Sequence, residues 1–82
     1  MVSEHIGYVS GNPARIKILN LISSRRGGLT IEQVRKAVRL PLKTVKNTLD
    51  EMVKRELVEL KGENYGVTEL GERVARELQS FQ

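Results

Sequence analysis

The fold of this chain is decided by residues 29–53, which read LTIEQVRKAVRLPLKTVKNTLDEMV. Thr30 and Gln33 have the spacing of a capping box, in which each side chain bonds the other residue's backbone amide at a helix start. Pro41 suits the first turn of a second helix, where its missing amide hydrogen costs nothing. The segment therefore predicts two helices joined by the tight connection Arg39-Leu40.

Apolar residues recur along both predicted helices at the spacing of one helical face. The first helix has its apolar side at Ile31, Val34 and Val38. The second helix carries a longer stripe, roughly 100° wide, which is typical of a helix that faces a core. Its members are Leu42, Val45, Leu49, Met52 and Val53. We expect both helices to pack on one hydrophobic core and to leave their polar faces exposed.

Upstream of this pair, Asn12-Pro13 predicts another helix, with asparagine as the cap and proline at the first helical position. Its apolar residues cover more than half of the helix circumference: Ala14, Ile16, Ile18, Leu19, Leu21 and Ile22. A helix this apolar is buried on two sides, in the domain core or partly against a partner chain. Residues 1–11 are predicted to form a short N-terminal arm or helix. The pair Arg25-Arg26 is interpreted as general surface charge, with phosphate binding as the alternative.

Downstream, two short strand-like stretches, residues 57–61 and 65–67, flank the turn Gly62-Glu63-Asn64, a pattern typical of a hairpin. Thr68 caps a final helix, whose apolar stripe is Leu70, Val74, Leu78 and Phe81. With an isolated strand at Leu29, the predicted order is helix, strand, helix, helix, strand, strand, helix. The prediction is a mainly α fold with a small β-hairpin, in a single domain over residues 1–82.

Charge is distributed unevenly along the chain. The net charge is +4, but residues 12–48 contain nine Lys and Arg residues against the single acid Glu32. Residues 49–82 contain five Lys and Arg residues against eight acids. A basic half beside an acidic half indicates one face for a polyanion and another face for something else, although an ordinary solvated surface is the alternative.

Composition argues against several functional classes. The chain has one histidine, His5, and no cysteine, so neither a disulfide nor a metal site is expected. We expect no cofactor and no enzymatic activity, because the sequence contains no glycine-rich phosphate loop and no nucleophile beside a base. No apolar run reaches the roughly 18 residues that a membrane span needs, and no secretory signal is recognisable. The expected location is the cytoplasm.

The candidate functional residues lie on the second helix of the pair. The major groove of DNA is about 12 Å wide and admits one α-helix, whose N-terminal residues then face the base edges. Lys43 and Lys46 can reach phosphate or guanine, and Asn47 can read adenine or bond phosphate, with Thr44 as a weaker contact. The alternative is a solvated face, since Lys46, Asp50 and Lys54 are four residues apart and can pair.

Further candidate contacts lie outside this helix. Arg39, in the connecting turn, either touches the phosphate backbone or covers apolar surface with its stem. In the hairpin, Lys61 is the one cation, and Asn64 and Tyr65 can bond phosphate or sugar. Tyr65 is equally suited to packing across the strands, and Glu59 and Glu63 would repel a phosphate backbone.

Three segments together resemble the ArsR/MarR-type winged helix-turn-helix regulators of bacteria and archaea. NPARIKIL at residues 12–19 is similar to their opening helix, and residues 29–58, ending in EMVKRELV, are similar to their helix-turn-helix and its exit into the wing. YGVT at 65–68, followed by Gly71, resembles their closing strand and last helix. The resemblance covers residues 12–76.

The resemblance implies a winged helix-turn-helix fold and a dimeric, sequence-specific regulator that binds double-stranded DNA. The recognition helix would span about residues 41–55, with Lys43, Thr44, Lys46 and Asn47 at its reading positions, and the wing would be residues 57–67. Three features depart from the family. Pro41 replaces the usual capping Ser or Thr, Glu56 replaces the usual Gly, and the Cys and His clusters of metal-sensing members are missing.

Family members often dimerise through their first and last helices. The corresponding apolar candidates here are Ile16, Leu19, Leu70, Val74, Leu78 and Phe81. The alternative is that both stripes serve the monomer's own core. Two other functions fit the sequence: a protein-docking winged helix, favoured by the acidic hairpin and Glu56, and a weakly specific architectural DNA binder.

Overall fold

The computed structural model describes residues 2–80, which form five helices and three strands. In chain order they are α1 (Val2–Ser10), α2 (Pro13–Ser23), β1 (Leu29–Thr30), α3 (Ile31–Val38), α4 (Leu42–Lys54), β2 (Val58–Lys61), β3 (Asn64–Val67) and α5 (Glu69–Ser80). The mainly α fold with a hairpin wing and the predicted element order are confirmed. Within residues 1–11, the helical alternative is the one the structure adopts.

Polar side chains start three of the helices as the sequence predicts. At α3, Gln33 N donates to Thr30 Oγ1 over 3.2 Å and Thr30 N donates to Gln33 Oε1 over 2.9 Å, which completes the capping box. At α2, Asn12 Oδ1 accepts the amide of Ala14 over 2.8 Å. At α5, Thr68 Oγ1 accepts the amide of Gly71 over 3.0 Å. These bonds satisfy amides that a helix start otherwise leaves unpaired.

The strands form one antiparallel sheet in the order β1-β3-β2. Lys61 pairs with Asn64, so the hairpin turn is only Gly62-Glu63 and Asn64 already belongs to β3, one residue earlier than predicted. Leu60 and Leu29 both pair with Tyr65, one from each side. The wing is therefore a short, tightly turned hairpin.

The helices and one face of the sheet enclose a single core. Its fully buried members include Ile18, Leu19 and Ile22 of α2, with Val45, Leu49 and Met52 of α4. One predicted core residue is wrongly placed: Leu42 is 47% exposed. Pro41 is the N-cap of α4 rather than its first helical residue, so Leu42 begins the helix. Leu42 is exposed because it precedes Val45, the first buried residue of α4.

The predicted dimerisation stripes are largely used inside the monomer. Leu19, Val74 and Leu78 are buried in the core, because α2 packs against α5 and α1 packs against both. Their assignment to a dimer surface is therefore wrong, and the alternative of a role in the monomer's core holds for them. Ile16 and Leu70 are half-buried and keep exposed apolar surface. Phe81 lies outside the described residues.

The turn after α4 adopts a left-handed conformation without glycine. Glu56 has φ 62°, and Leu57 N donates to Met52 O while Glu56 N donates to Val53 O, both over 3.0 Å. This is the Schellman arrangement that ends many helices. Glu56 thus occupies, without glycine, the left-handed position that favours glycine, at a strain cost of about 1 kcal/mol.

Gly71 brings the start of α5 against this same turn. A Cβ atom at Gly71 would overlap the carbonyl oxygen of Leu57 and come within 2.8 Å of a Val67 methyl. The Leu57 carbonyl also accepts the amide of Thr68 over 3.1 Å, and Thr68 Oγ1 donates to Glu56 O over 2.6 Å. The missing side chain is therefore what permits α5 to lie on the α4–β2 turn.

We predict opposite effects for alanine at two helical glycines. Gly71→Ala should lower the free energy of unfolding by about 2 to 3 kcal/mol, because backbone must move to admit the methyl group. Gly7→Ala is the control: a Cβ there meets nothing within 4 Å, so better helix propensity should raise the stability by about 0.5 to 1 kcal/mol. Urea denaturation measures both, and equal effects would contradict the packing assigned to Gly71.

Candidate nucleic-acid interface

The first half of α4 presents a polar, exposed face. Lys43, Thr44, Lys46 and Asn47 are all exposed, while Val45 and Thr48 between them are buried. Residues 43, 46 and 47 stand three and four positions apart, so their side chains leave the helix on one side. Helical side chains tilt toward the N-terminus, which aims this set beyond the start of α4. The structure thus brings together the candidates predicted for the recognition helix.

The two lysines of this face differ in their surroundings. Lys46 Nζ lies 3.6 Å from Asp50 Oδ2, so the predicted surface pairing forms between these two residues. The side chain of Lys46 is 62% exposed and that of Asp50 is 50% exposed. An ion pair this exposed contributes little to the free energy of unfolding. Within residues 2–80, Lys43 has no ion-pair partner. Neither lysine is therefore held away from a phosphate.

The start of α4 favours an anion electrostatically. Its first turn contains no acidic residue, and Pro41 supplies no side-chain hydrogen bond to the helix amides. These amides and the helix dipole add a positive potential to that of Lys43. Arg39 stands two residues before Pro41, in the left-handed conformation with φ 57°, and its side chain is exposed. The turn and the helix start thus form one basic surface.

The wing exposes fewer of the predicted contact residues than expected. Tyr65 is only 7% exposed and belongs to the core, so its assignment as a DNA contact is wrong and its packing alternative holds. Asn64 is exposed, but its Nδ2 donates to the carbonyl of Gly27 over 3.2 Å. Lys61 Nζ lies 4.0 Å from Glu59 Oε2. Of the predicted wing contacts, Lys61 and Asn64 keep exposed polar groups.

A loop that the sequence analysis treated as general charge lies beside the wing. Gly28 has φ 79°, and a Cβ there would come within 2.6 Å of the Tyr65 carbonyl oxygen, so the loop approaches β3 closely. Arg25, Arg26 and Lys61 consequently line one open cavity of about 350 Å³, which also has acidic lining from Glu59 and Glu72. In the sequence, the glycine pair Gly27-Gly28 directly after Arg25-Arg26 is the feature that could have indicated this close approach of the loop to β3.

A cluster around Tyr8 joins α1 to the C-terminal end of α4. The guanidinium carbons of Arg15 and Arg55 lie 3.9 and 3.8 Å from the centroid of the Tyr8 ring. Tyr8 Oη donates to Glu51 Oε1 over 2.7 Å, and Arg15 lies 3.5 Å from the same carboxylate. Burial, and then the hydrogen bond to Glu51, raise the pKa of Tyr8 above its usual value, although Arg15 opposes the shift. No sequence pattern indicated this cluster, because Tyr8 and Arg15 are far along the chain from Glu51 and Arg55.

The comparisons with known proteins identify the family. A winged helix-turn-helix family model matches residues 15–82, and the chain belongs to this family. The winged helix-turn-helix is a DNA-binding fold, in agreement with the exposed basic face of α4. The comparisons with curated proteins and with solved structures found no match. Helix α1 precedes the matched range, so it adds to the shared fold.

Between residues 2 and 80, no helix has the length and apolar character to cross a membrane. In the same range, His, Asp and Glu residues form no group of three that could hold a metal ion.

We predict that the Tyr8 cluster stabilises the fold through both its hydrogen bond and its ring. Tyr8→Phe keeps the ring between the two guanidinium groups and should cost about 0.5 to 1 kcal/mol in the free energy of unfolding. Tyr8→Leu also removes the cation–π contacts and should cost about 1 kcal/mol more. Urea denaturation at pH 8 measures both, and equal losses would contradict a role for the ring.

The raised pKa of Tyr8 gives this contribution a pH dependence. The folded state binds the hydroxyl proton more tightly than the unfolded chain, whose tyrosine pKa is about 10. The contribution is therefore complete below pH 10 and is lost as the pH rises through the folded pKa. The stability difference between wild type and Tyr8→Phe should be constant from pH 7 to 9 and should shrink above pH 10.

Proposed function

We propose that this protein is a sequence-specific regulator of transcription that binds double-stranded DNA as a homodimer and catalyses no reaction. It is of the ArsR/MarR-like type and acts in the cytoplasm. A chain without cysteine forms no disulfide, so it is suited to that reducing compartment. The proposal rests above all on one observation: Lys43, Lys46 and Asn47 share an exposed face at the first half of α4.

In this proposal, α4 enters the major groove with its N-terminal half. Lys43 and Lys46 bind phosphate or guanine, and Asn47 forms two hydrogen bonds to adenine or one to phosphate. Thr44, at the edge of the exposed face, is a weaker contact. Arg39 binds the backbone from the turn before the helix, and the wing lies near the backbone with Lys61 and Asn64. The wing is a minor contributor because its cation lies beside Glu59 and Glu63.

A protein-docking role is the second candidate function. It is supported by the wing, where exposed Glu59 and Glu63 flank Lys61 and would repel a phosphate backbone. The basic face of α4 weighs more, since it lies on the element that reads DNA in this fold. A weakly specific architectural binder would use the same basic face without base readout. The three functions differ in salt dependence and in the ratio of specific to non-specific affinity.

We predict that duplex binding depends steeply on salt and on the two lysines of α4. Fluorescence anisotropy of wild-type protein with mixed-sequence duplex, from about 20 to 300 mM salt, should give a steeply negative slope of log K against log salt. Replacing Lys43 and Lys46 together by alanine should make this slope shallower by about 2, since each phosphate contact contributes about 0.9.

The matched control removes the same charge from another helix. Arg73 and Arg76 are exposed on α5, and replacing both by alanine changes the net charge equally. The control should bind like wild type. Equal losses of affinity in both double variants would mean that net charge alone drives binding. No binding by folded wild type at low salt would favour the docking function.

Asn47→Ala should retain affinity for mixed-sequence duplex and lose base preference.

We predict that the solution form is a homodimer. Ile16 and Leu70 are the predicted interface residues that keep exposed apolar surface. Sedimentation equilibrium should give twice the 9.3 kDa chain mass, and Ile16→Glu or Leu70→Glu should lower it toward the monomer mass. A dimer should also protect two half-sites about 34 Å apart, one helical turn of DNA. A folded monomer that protects one half-site would contradict this part of the proposal.

A further inference from the structure

Two large apolar side chains are exposed among residues 2–80: Leu42 at 47% and Leu60 at 49%. They differ in location. Leu60 lies on β2, opposite Tyr65 in the wing, and belongs to an apolar hollow beside Ile31. Leu42 is the first residue of α4, on the element that carries Lys43 and Lys46. Exposed leucines are common on protein surfaces, so only the position of a leucine in the fold can indicate a function for it.

Leu42 is not required by the core. The helix is already anchored by Val45, Leu49 and Met52, each fully buried. The apolar stripe of α4 therefore continues one residue beyond the packed part of the helix, into solvent. A polar side chain at this position would leave the packing of the core unchanged. The leucine is thus explained by neither the stability of α4 nor the shape of the core.

Leu42 stands at the N-terminal end of α4, the end that enters the major groove in the proposed function. Residues 42 and 46 are one turn apart on the same side of the helix, and Lys43 is its neighbour in the chain. Because side chains on a helix tilt toward its N-terminus, Leu42 projects past the helix start. In the groove, this apolar group would lie at the edge of the exposed basic face, one turn before Lys46.

Only one group on the floor of the major groove suits an apolar side chain. Adenine, guanine and cytosine present hydrogen-bond donors and acceptors there, whereas thymine adds a methyl group at C5. Leucine over a donor or acceptor removes water from it without replacing the hydrogen bond, which costs free energy. Leucine against the thymine methyl buries two apolar surfaces.

We infer that Leu42 is a specificity-determining residue that selects thymine through its 5-methyl group at one position of each half-site. The inference rests on the proposed function and deepens it, since it names one feature of the DNA sequence that the protein prefers. Lys43 and Lys46 supply affinity, Asn47 reads a neighbouring base by hydrogen bonds, and Leu42 reads a methyl group.

Replacing thymine by uracil tests the inference, because the two bases differ only by that methyl group. The preferred site is first selected with wild-type protein from a random duplex library. Each thymine of the site is then replaced singly by deoxyuridine, and the affinity is measured by anisotropy. We expect one replacement per half-site to weaken binding about three- to fivefold, the effect of one unburied methyl group.

The same scan on variants assigns the effect to the side chain. Leu42→Ala should bind the thymine site about three- to tenfold more weakly and should be insensitive to deoxyuridine at the critical position. Leu42→Met keeps an apolar side chain of similar size and should retain the sensitivity. Leu60→Ala is the matched control, since it removes an equally exposed leucine from the wing, and it should respond to deoxyuridine like wild type.

The outcomes separate this inference from the function on which it rests. Wild-type binding to a selected site, with no thymine sensitive to deoxyuridine, would overturn the role of Leu42 and leave DNA recognition intact. Sensitivity that persists in Leu42→Ala would overturn it as well, because another side chain would then contact the methyl group. Failure of folded wild type to bind any duplex would instead overturn the proposed function.

Discussion

The arrangement of the whole domain depends on the close contact between the start of α5 and the turn that ends α4. Gly71 has no side chain, so the Leu57 carbonyl can lie against the backbone of α5 and accept the amide of Thr68. Thr68 Oγ1 donates to Glu56 O, which ties the cap of α5 to the left-handed residue of the turn. One contact thus fixes the end of α4, the start of β2 and the direction of α5. The wing keeps a defined geometry relative to α4 because β2 begins from this turn.

The two ends of α4 have different tasks, and the charges are arranged accordingly. At the C-terminal end, Glu51 is bound by Tyr8 and lies beside Arg15, so the acidic group is engaged within the protein. The hydrogen bond from Tyr8 comes from helix α1, which precedes the residues matched by the family model. At the N-terminal end, basic side chains are exposed with no acid in the first turn. The positive potential is therefore at the N-terminal end of α4, where the side chains are exposed, while contacts with α1 and α2 hold the C-terminal end in place.

The sequence was sufficient to predict elements whose signals are local, and insufficient where the outcome depends on distant packing. The capping box of Thr30 and Gln33 and the Asn12 cap depend on neighbouring residues and formed as predicted, and the hairpin formed with a turn one residue shorter than predicted. Periodicity gave Tyr65 two possible roles, and only the pairing of β1 and β2 on either side of it determined that it is buried. The stripe of α5 likewise predicted an apolar face but not that α1 and α2 of the same chain cover it. The Tyr8 cluster joins residues from three helices and left no local signal.

In the proposed complex, the short wing leaves most of the DNA recognition to the first turns of α4. A hairpin with a two-residue turn carries few side chains toward DNA, and here one of them is Glu63. Discrimination between base pairs then requires different chemistry within a few residues of one helix: cations for phosphate and guanine, an amide for adenine, and an apolar group for the methyl of thymine. In the proposed complex, Lys43, Asn47 and Leu42 supply one of each. The exposed leucine, which the packing of the helix does not require, then adds an apolar contact to the polar ones.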